Sequence, residues 1–291
     1  MIRATIYNDP ACPWGYSANP ALRVIEWRYG AQLEWRLVLI GLTESAQQYV
    51  DRGYTPLRSA LGQLRFRRYG MPFSPVPKQR VSATARACRA VVAARIDDPG
   101  SEWRVFRAIQ FANFTTELVL EDDAQLAKVV GEQIVARLDD PDVTEAYERD
   151  RVEARTAAGS ATELQGKAAN SDGLVRYTAP SLVVERDGVK LEAGGFQPAE
   201  AYDVVVANID PTLERRDPPE DPRELLAYFP DGLTTQEVAA LLTHGNDAPD
   251  RQAAESALLA IVGSGDAVRE PLGDDALWRA PAYASRAANA A

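Results

Sequence analysis

The residues best suited to chemistry in this chain stand together in Asp9-Pro10-Ala11-Cys12-Pro13-Trp14-Gly15-Tyr16. Cys12 is one of only two cysteines, and the single histidine, His244, is far away in sequence. The stretch therefore offers thiol chemistry, and no metal is expected; a Cys-His pair would need the fold to bring those two ends together. Proline suits the first helical position, where its missing N–H has no partner, so Pro13 puts Cys12 at an N-cap. A sulfur there can accept from the free N–H groups of the first turn and feels the positive end of the helix dipole. Both effects favour the thiolate, which makes Cys12 the expected reactive group.

The flanking elements must hold that joint in place. Residues 2–7 read as a short apolar strand, and a helix is expected to start at Pro13 and run through Leu22, Val24 and Trp27. Residues 33–39 carry apolar side chains at 33, 35, 37 and 39, the period of a strand with one covered face. A strand, helix, strand unit of this size closes with parallel strands and a right-handed crossover. Its helix N-terminus, and with it Cys12, then sits at the carboxyl edge of the sheet, where α/β folds place ligands.

From Thr43 to about Arg176 the pattern is helical, with stops at Met71-Pro72-Phe73-Ser74-Pro75-Val76-Pro77, Asp97-Asp98-Pro99-Gly100 and Asp139-Asp140-Pro141. Val81, Ala85, Cys88, Val92 and Ile96 recur at near-helical spacing, which makes Cys88 a core residue before it is a second thiol. Trp103, Phe106, Ile109, Gln110, Phe111 and Phe114 give another helix an aromatic, core-facing side. Strand character returns at residues 180–185. A turn at Arg186-Asp187-Gly188 leads into 189–193, an antiparallel hairpin, and a helix through Tyr202, Val205, Val206 and Ile209 follows Gly194-Gly195-Phe196-Gln197-Pro198.

That order resembles the DsbA-like branch of the thioredoxin superfamily, in particular its cytosolic FrnE-type members and the neighbouring kappa-class glutathione transferases and hydroxychromene-carboxylate isomerases. Three features carry the likeness: Asp9-Pro10-Ala11-Cys12-Pro13-Trp14, Thr178-Ala179-Pro180-Ser181-Leu182-Val183, and Gly195-Phe196-Gln197-Pro198. The resemblance implies a thioredoxin-like α/β core, residues 1–42 and 177–209, with a helical insertion at 43–176. It also implies that Pro180 is a cis proline against the Cys12 sulfur, that the backbone of Ala179 is free to pair with a bound thiol or peptide, and that Gly195 and Gln197 border the ligand groove. Trp14 would form a wall of that groove.

One departure bears on the chemistry. Redox-active relatives carry Cys-Pro-Trp-Cys, whereas the fourth position here is Gly15. Disulfide exchange needs an attacking thiolate and then a second thiol to expel the bound partner. Without one, release falls to an external low-molecular-weight thiol such as glutathione or mycothiol, or to Cys88. Gly15 is expected to leave room for a ligand near the sulfur, and Tyr16 and Ser17 to donate to a bound thiolate. The alternatives are a thiol-cofactor-dependent isomerase or transferase acting on an aromatic or hydrophobic substrate, and a non-catalytic binding protein on the same fold. The arginines of Leu64-Arg65-Phe66-Arg67-Arg68-Tyr69 read as a solvated helix face or as a clamp for the carboxylates of a glutathione-like ligand.

Composition sets the outer limits. With 291 residues, 46% of them apolar and 25% charged, the chain suits one or two globular domains. Its formal charge of −10 argues against nucleic acid and anionic membranes as partners. No run approaches the ~18 apolar residues of a membrane span, and the first strand leaves no room for a leader, so a cytoplasmic location is expected. Residues 210–222, rich in proline and charge, read as a linker. Residues 223–281 then read as three helices closed by a two-stranded ribbon, a winged-helix-like module, and 282–291 as a loose tail. From Asp210 onward there are 7 Lys and Arg against 15 Asp and Glu. Such a surface repels phosphates, so the module is expected to serve packing, dimerisation or lid closure; a homodimer is compatible with this, and the sequence leaves the oligomeric state open.

Overall fold

The computed structural model describes residues 1–281. The expected tail at 282–291 lies outside the described residues. The strand β1 (Ile2–Asn8) is buried along almost its whole length and lies in the middle of a four-stranded sheet. β2 (Leu33–Leu39) runs parallel to it on one side. On the other side lie β3 (Ser181–Arg186), antiparallel to β1, and then β4 (Val189–Gly194). The β3–β4 hairpin turns on Asp187 and Gly188, both at positive φ (51° and 79°), the primed geometry that matches strand twist.

The period-2 pattern separates two cores. Ile2, Ala4 and Ile6 of β1, Leu33 and Leu37 of β2, and Leu182 and Val184 of β3 share one face. Tyr7, Val38 and Val183 point the other way, into the cluster that contains Cys12. The helix after Cys12 is two helices, α1 (Pro13–Ser17) and α2 (Asn19–Tyr29), rather than one. Pro20, in the first turn of α2, has no N–H to continue the α1 ladder, and Ala18 closes one helix while opening the next.

The insertion holds α3 (Ala46–Asp51), α4 (Pro56–Leu64), α5 (Ala85–Asp97), α6 (Glu102–Thr115), α7 (Asp123–Val130), α8 (Glu132–Val135), α9 (Pro141–Ala154) and α10 (Ala161–Leu164). Its helical character ends at Leu164; the chain then returns to the sheet through an irregular segment carrying the isolated Ala169–Arg176 bridge. The helix α5 is alanine-rich and buried from Ala90 to Ala94, with Cys88 fully inside the main core. After β4, α11 (Ala199–Ile209) covers the sheet with Tyr202 and Val206.

Residues 210–222 are a strap docked on α2 rather than a free linker. The Arg216 N–H donates to the Arg28 carbonyl (2.9 Å), the Trp27 indole N–H to the Asp217 carbonyl (2.8 Å), and the Arg216 guanidinium lies 4.4 Å over the Trp27 ring. The C-terminal segment comprises α12 (Pro222–Tyr228), β5 (Leu233–Thr234), α13 (Thr235–Leu242), α14 (Arg251–Gly263), β6 (Val268–Leu272) and β7 (Asp275–Arg279). Its sheet has three strands, in the order β5-β7-β6, because Leu233 and Thr234 pair with Trp278 and Leu277; the expected ribbon had two. Its core is continuous with Val24 and Trp27 of α2.

A buried ion pair joins this segment to the insertion. The Arg107 guanidinium donates to both oxygens of Glu237 (2.7 and 2.6 Å), and the carboxylate also closes a capping box with Thr234. Neither side chain reaches solvent to a useful extent. Removing one partner of such a pair strands the other charge in the interior. Glu237→Ala is therefore expected to cost roughly 3–5 kcal/mol in thermal or urea unfolding, with much of the loss recovered when Arg107→Met is added. Equal losses in the single and double variants would show that the pair is not the link.

Candidate active site

The end of β1 is shaped by one carboxylate. Asp9 Oδ1 accepts the Ala11 N–H (2.9 Å), an Asx turn that reverses the chain ahead of Cys12. Asp9 Oδ2 accepts the Leu42 N–H (2.9 Å), the Thr84 hydroxyl (2.8 Å) and the Cys88 thiol (3.6 Å). The carboxyl group is fully buried, and burial pushes its pKa up against those hydrogen bonds. The role of Asp9 is visible in the sequence only as its place in the Asp-Pro-x-Cys spacing, because its partners Leu42, Thr84 and Cys88 lie 33 to 79 residues away.

Cys12 is the N-cap of α1, as its proline neighbour predicts, but the thiol state is the reverse of the expectation. Burial of the sulfur raises its pKa to about 11. The Gly15 and Trp14 N–H groups and Arg176 pull it down, the Asp9 charge pushes it up, and burial outweighs the helix terminus. The protonated Sγ donates to the Ala179 carbonyl (3.3 Å), immediately before Pro180, whose peptide bond with Ala179 is cis. That carbonyl is therefore engaged by the protein's own thiol, where a free backbone was expected.

Gly15 does not open space beside the sulfur. A Cβ built there would run into Asn8 Oδ1, so the Asn8 side chain occupies the volume that a fourth-position side chain would need. Tyr16 is also absent from the site. One helical turn beyond Cys12, it faces the aromatic core, fully buried, stacked on Phe114 at 4.6 Å and donating to the Pro72 carbonyl (2.9 Å). Ser17 is buried as well.

Trp14 is 40% exposed and caps an aromatic group of Phe66 (4.8 Å), Phe196 (5.4 Å) and Tyr69 (5.7 Å). Phe196 is the loop residue that reaches Trp14. Gly195 is buried, its N–H donating to Ser181 Oγ (3.2 Å), and the Gln197 amide folds back onto the Gly194 carbonyl (2.8 Å). Cys12, Pro13 and Trp14 line a cavity of about 530 Å³ whose opposite wall is formed by the insertion, with Tyr49, Tyr54 and Phe66 among its aromatic residues. His244 is not part of that wall.

Of the two readings of the basic cluster at 65–68, the solvated face holds and the clamp does not. Arg65, Arg67 and Arg68 are exposed and do not line the cavity; Arg67 pairs with Asp274 (3.0 Å) and Arg68 lies over Tyr69. Arg52, Arg58, Lys78, Arg80 and Arg176 do line it. Burial alone pushes the Lys78 ammonium down to about 7.

The family model for the DSBA-like thioredoxin domain matches residues 4–158. Among solved structures, a probable DsbA oxidoreductase from Streptomyces coelicolor aligns with a TM-score of 0.54 at 17% identity, covering 76% of this chain and 93% of that one. A candidate protein disulfide isomerase from Nitrosomonas europaea aligns at 0.53 and 18%, covering 72% and 97%. The cytosolic disulfide reductase DsbM from Pseudomonas aeruginosa aligns at 0.48 and 19%, covering 71% and 98%. No curated protein matches the chain significantly.

The thiol's environment predicts its reactivity. Alkylation of Cys12 by iodoacetamide is expected to be slow at pH 7 and to climb without a plateau toward about pH 11. Asp9→Asn, which removes the neighbouring negative charge, moves that profile to lower pH. A plateau near pH 8.5 in the folded wild-type protein would show that burial does not govern the sulfur.

Proposed function

Because the chain belongs to the DSBA-like thioredoxin domain family, we propose that it is a thiol oxidoreductase that works through Cys12 alone, by way of a mixed disulfide with a low-molecular-weight thiol. The observation that carries this reading is the pairing of a cavity-lining Cys12 with a filled fourth position. Asn8 lies where a resolving side chain would stand, and Cys88 is buried behind Asp9 in the core. Both cysteines are free thiols.

The chemistry balances with one protein thiol. The Cys12 thiolate attacks the RS sulfur of a disulfide R′S–SR, forming Cys12–S–SR and releasing R′S⁻, which takes up a proton. A second molecule of the small thiol RSH, reacting as its thiolate, attacks the RS sulfur of the adduct and frees Cys12 as RSSR leaves. The net change is R′SSR plus RSH giving R′SH plus RSSR. The thiol proton, held on the Ala179 carbonyl at rest, must leave before the first attack. We place this work in the cytoplasm, where small thiols are kept reduced; no described helix is long and apolar enough to cross a membrane.

The high thiol pKa favours a second reading. A Cys12 that stays protonated can donate a hydrogen bond to the sulfur of a bound thiol cofactor, as in an isomerase or transferase acting on an aromatic substrate between Trp14, Phe66 and Tyr54. Serine at position 12 would preserve that role and abolish the first.

Intact mass after incubation with oxidised glutathione and oxidised mycothiol tests the main reading. An adduct is expected on the wild-type protein and on Cys88→Ser, absent from Cys12→Ser, and removed by the free thiol. A folded wild-type protein that takes up neither thiol would overturn it. Gly15→Cys alone is expected to destabilise the protein, whereas Gly15→Cys with Asn8→Ala makes room for a disulfide between Cys12 and the introduced thiol. Free-thiol titration and thermal unfolding distinguish the two variants.

A further inference from the structure

The charge on the cavity wall runs against the charge of the protein. Acidic residues outnumber basic ones 42 to 32 in the chain, yet five basic side chains and no aspartate or glutamate line the cavity among the described residues. Four of the five have no carboxylate within ion-pair distance among the described residues; only Arg80 has one, Glu121 at 3.4 Å. Two of those four are fixed in place by neutral groups. Lys78 Nζ donates to the Asn113 carbonyl (2.8 Å) and to Asn113 Oδ1 (2.6 Å). Arg176, only 7% exposed, donates to the Tyr177 carbonyl (3.1 Å) and Ser171 Oγ (3.2 Å).

Taking a cation out of water is costly, and for both groups burial is the main influence on the pKa, lowering it; nothing offsets it at Lys78, and at Arg176 the charges of Asp172 and Asp9 offset it only in part. Both cations are held by oriented acceptors in the wall of one cavity, an arrangement that an anionic ligand could use. Arg176 and Lys78 line the same cavity as Cys12, and the Arg176 charge acts on the Cys12 sulfur.

We propose that the small molecule that meets Cys12 in this cavity carries carboxylate or phosphate groups, and that Lys78 and Arg176 are its anchors. The inference rests on the reading that this cavity is where the thiol partner binds, and it names that partner's chemistry. A dicarboxylate peptide thiol and a phosphorylated thiol both have the required charge; an uncharged sugar thiol such as mycothiol does not. Lys78 and Arg176 are specificity-determining residues here, with no part in bond making.

The test separates recognition from covalent chemistry by using the full-length Cys12→Ser protein. Calorimetry would compare N-acetyl-S-methylglutathione with its diethyl ester, and 4′-phosphopantetheine with pantetheine. Each charged ligand is expected to bind about tenfold or more tightly than its neutral counterpart, the scale of one charge-assisted hydrogen bond. The pair showing the larger ratio identifies carboxylate or phosphate as the preferred group. Lys78→Met is expected to reduce that ratio about tenfold while leaving the neutral ligand unchanged, and Arg176→Gln to do the same if it folds. The proposal is overturned if charged and neutral ligands bind alike, if none binds, or if Lys78→Met weakens both members of a pair equally. These outcomes are independent of whether wild-type Cys12 forms an adduct, so failure here is distinct from failure of the mixed-disulfide reading.

Discussion

The buried carboxylate of Asp9 is the constraint from which the site follows. It sits where β1 ends and gathers donors from three places: the turn before Cys12, the backbone after β2, and the Thr84–Cys88 start of α5. The sheet and the insertion are thus tied through one group whose burial is unfavourable on its own. Four hydrogen bonds offset that cost only while all the partners are present, so the geometry around Cys12 depends on both parts of the fold being docked. The same negative charge, fixed next to the sulfur, works with burial to keep the thiol protonated at rest.

Glycine at the fourth motif position is part of a repacked site and cannot be read as a simple loss of cysteine. The space is filled by Asn8, whose Oδ1 accepts the Asp9 N–H (2.9 Å) and thereby supports the turn that carries Cys12. A side chain at position 15 would require Asn8 to move and give up its hydrogen bond from the Asp9 N–H, or to be replaced. The single-thiol arrangement is therefore coupled to the strand end as well as to the helix start.

Much of the fold was legible because local patterns and tertiary packing agreed. Pro13 fixed the N-cap, and alternation at 33–39 gave β2 to the residue. Asp187-Gly188 gave the hairpin. The site was less legible wherever its character came from burial or from distant segments. The helix-dipole argument for a thiolate was sound locally and lost to desolvation, which depends on how deep the insertion buries the sulfur. Tyr16 follows Cys12 by one turn, but the aromatic core of Phe73, Phe111 and Phe114 claims its ring. The basic cluster at Arg65 to Arg68 is conspicuous in the sequence and faces solvent, while Lys78 and Arg176, isolated in the sequence, converge on the cavity. Strand and helix periods report which face is covered; they do not report which scattered cations meet across a fold.

The C-terminal segment takes part in the same architecture. Its β5–α13 junction, the start of α14 and the β6–β7 turn hold the chain that leads from the aromatic patch under Trp14 to Lys78. Arg251 donates to the Gly70 carbonyl (2.9 Å), Thr234 to Met71 Sδ (3.5 Å), and the Phe73 N–H to Asp274 (2.8 Å). The buried Arg107–Glu237 pair fixes α6, the helix that also supplies Asn113 to Lys78. A segment in which acidic side chains outnumber basic ones is thereby joined to a cavity whose described lining carries five basic side chains and no carboxylate. A concavity walled by one sign of charge focuses its field, so an anionic ligand would be drawn to the cavity rather than to the surface around it. The strap across α2 and this buried pair hold the segment against the elements that build the cavity wall.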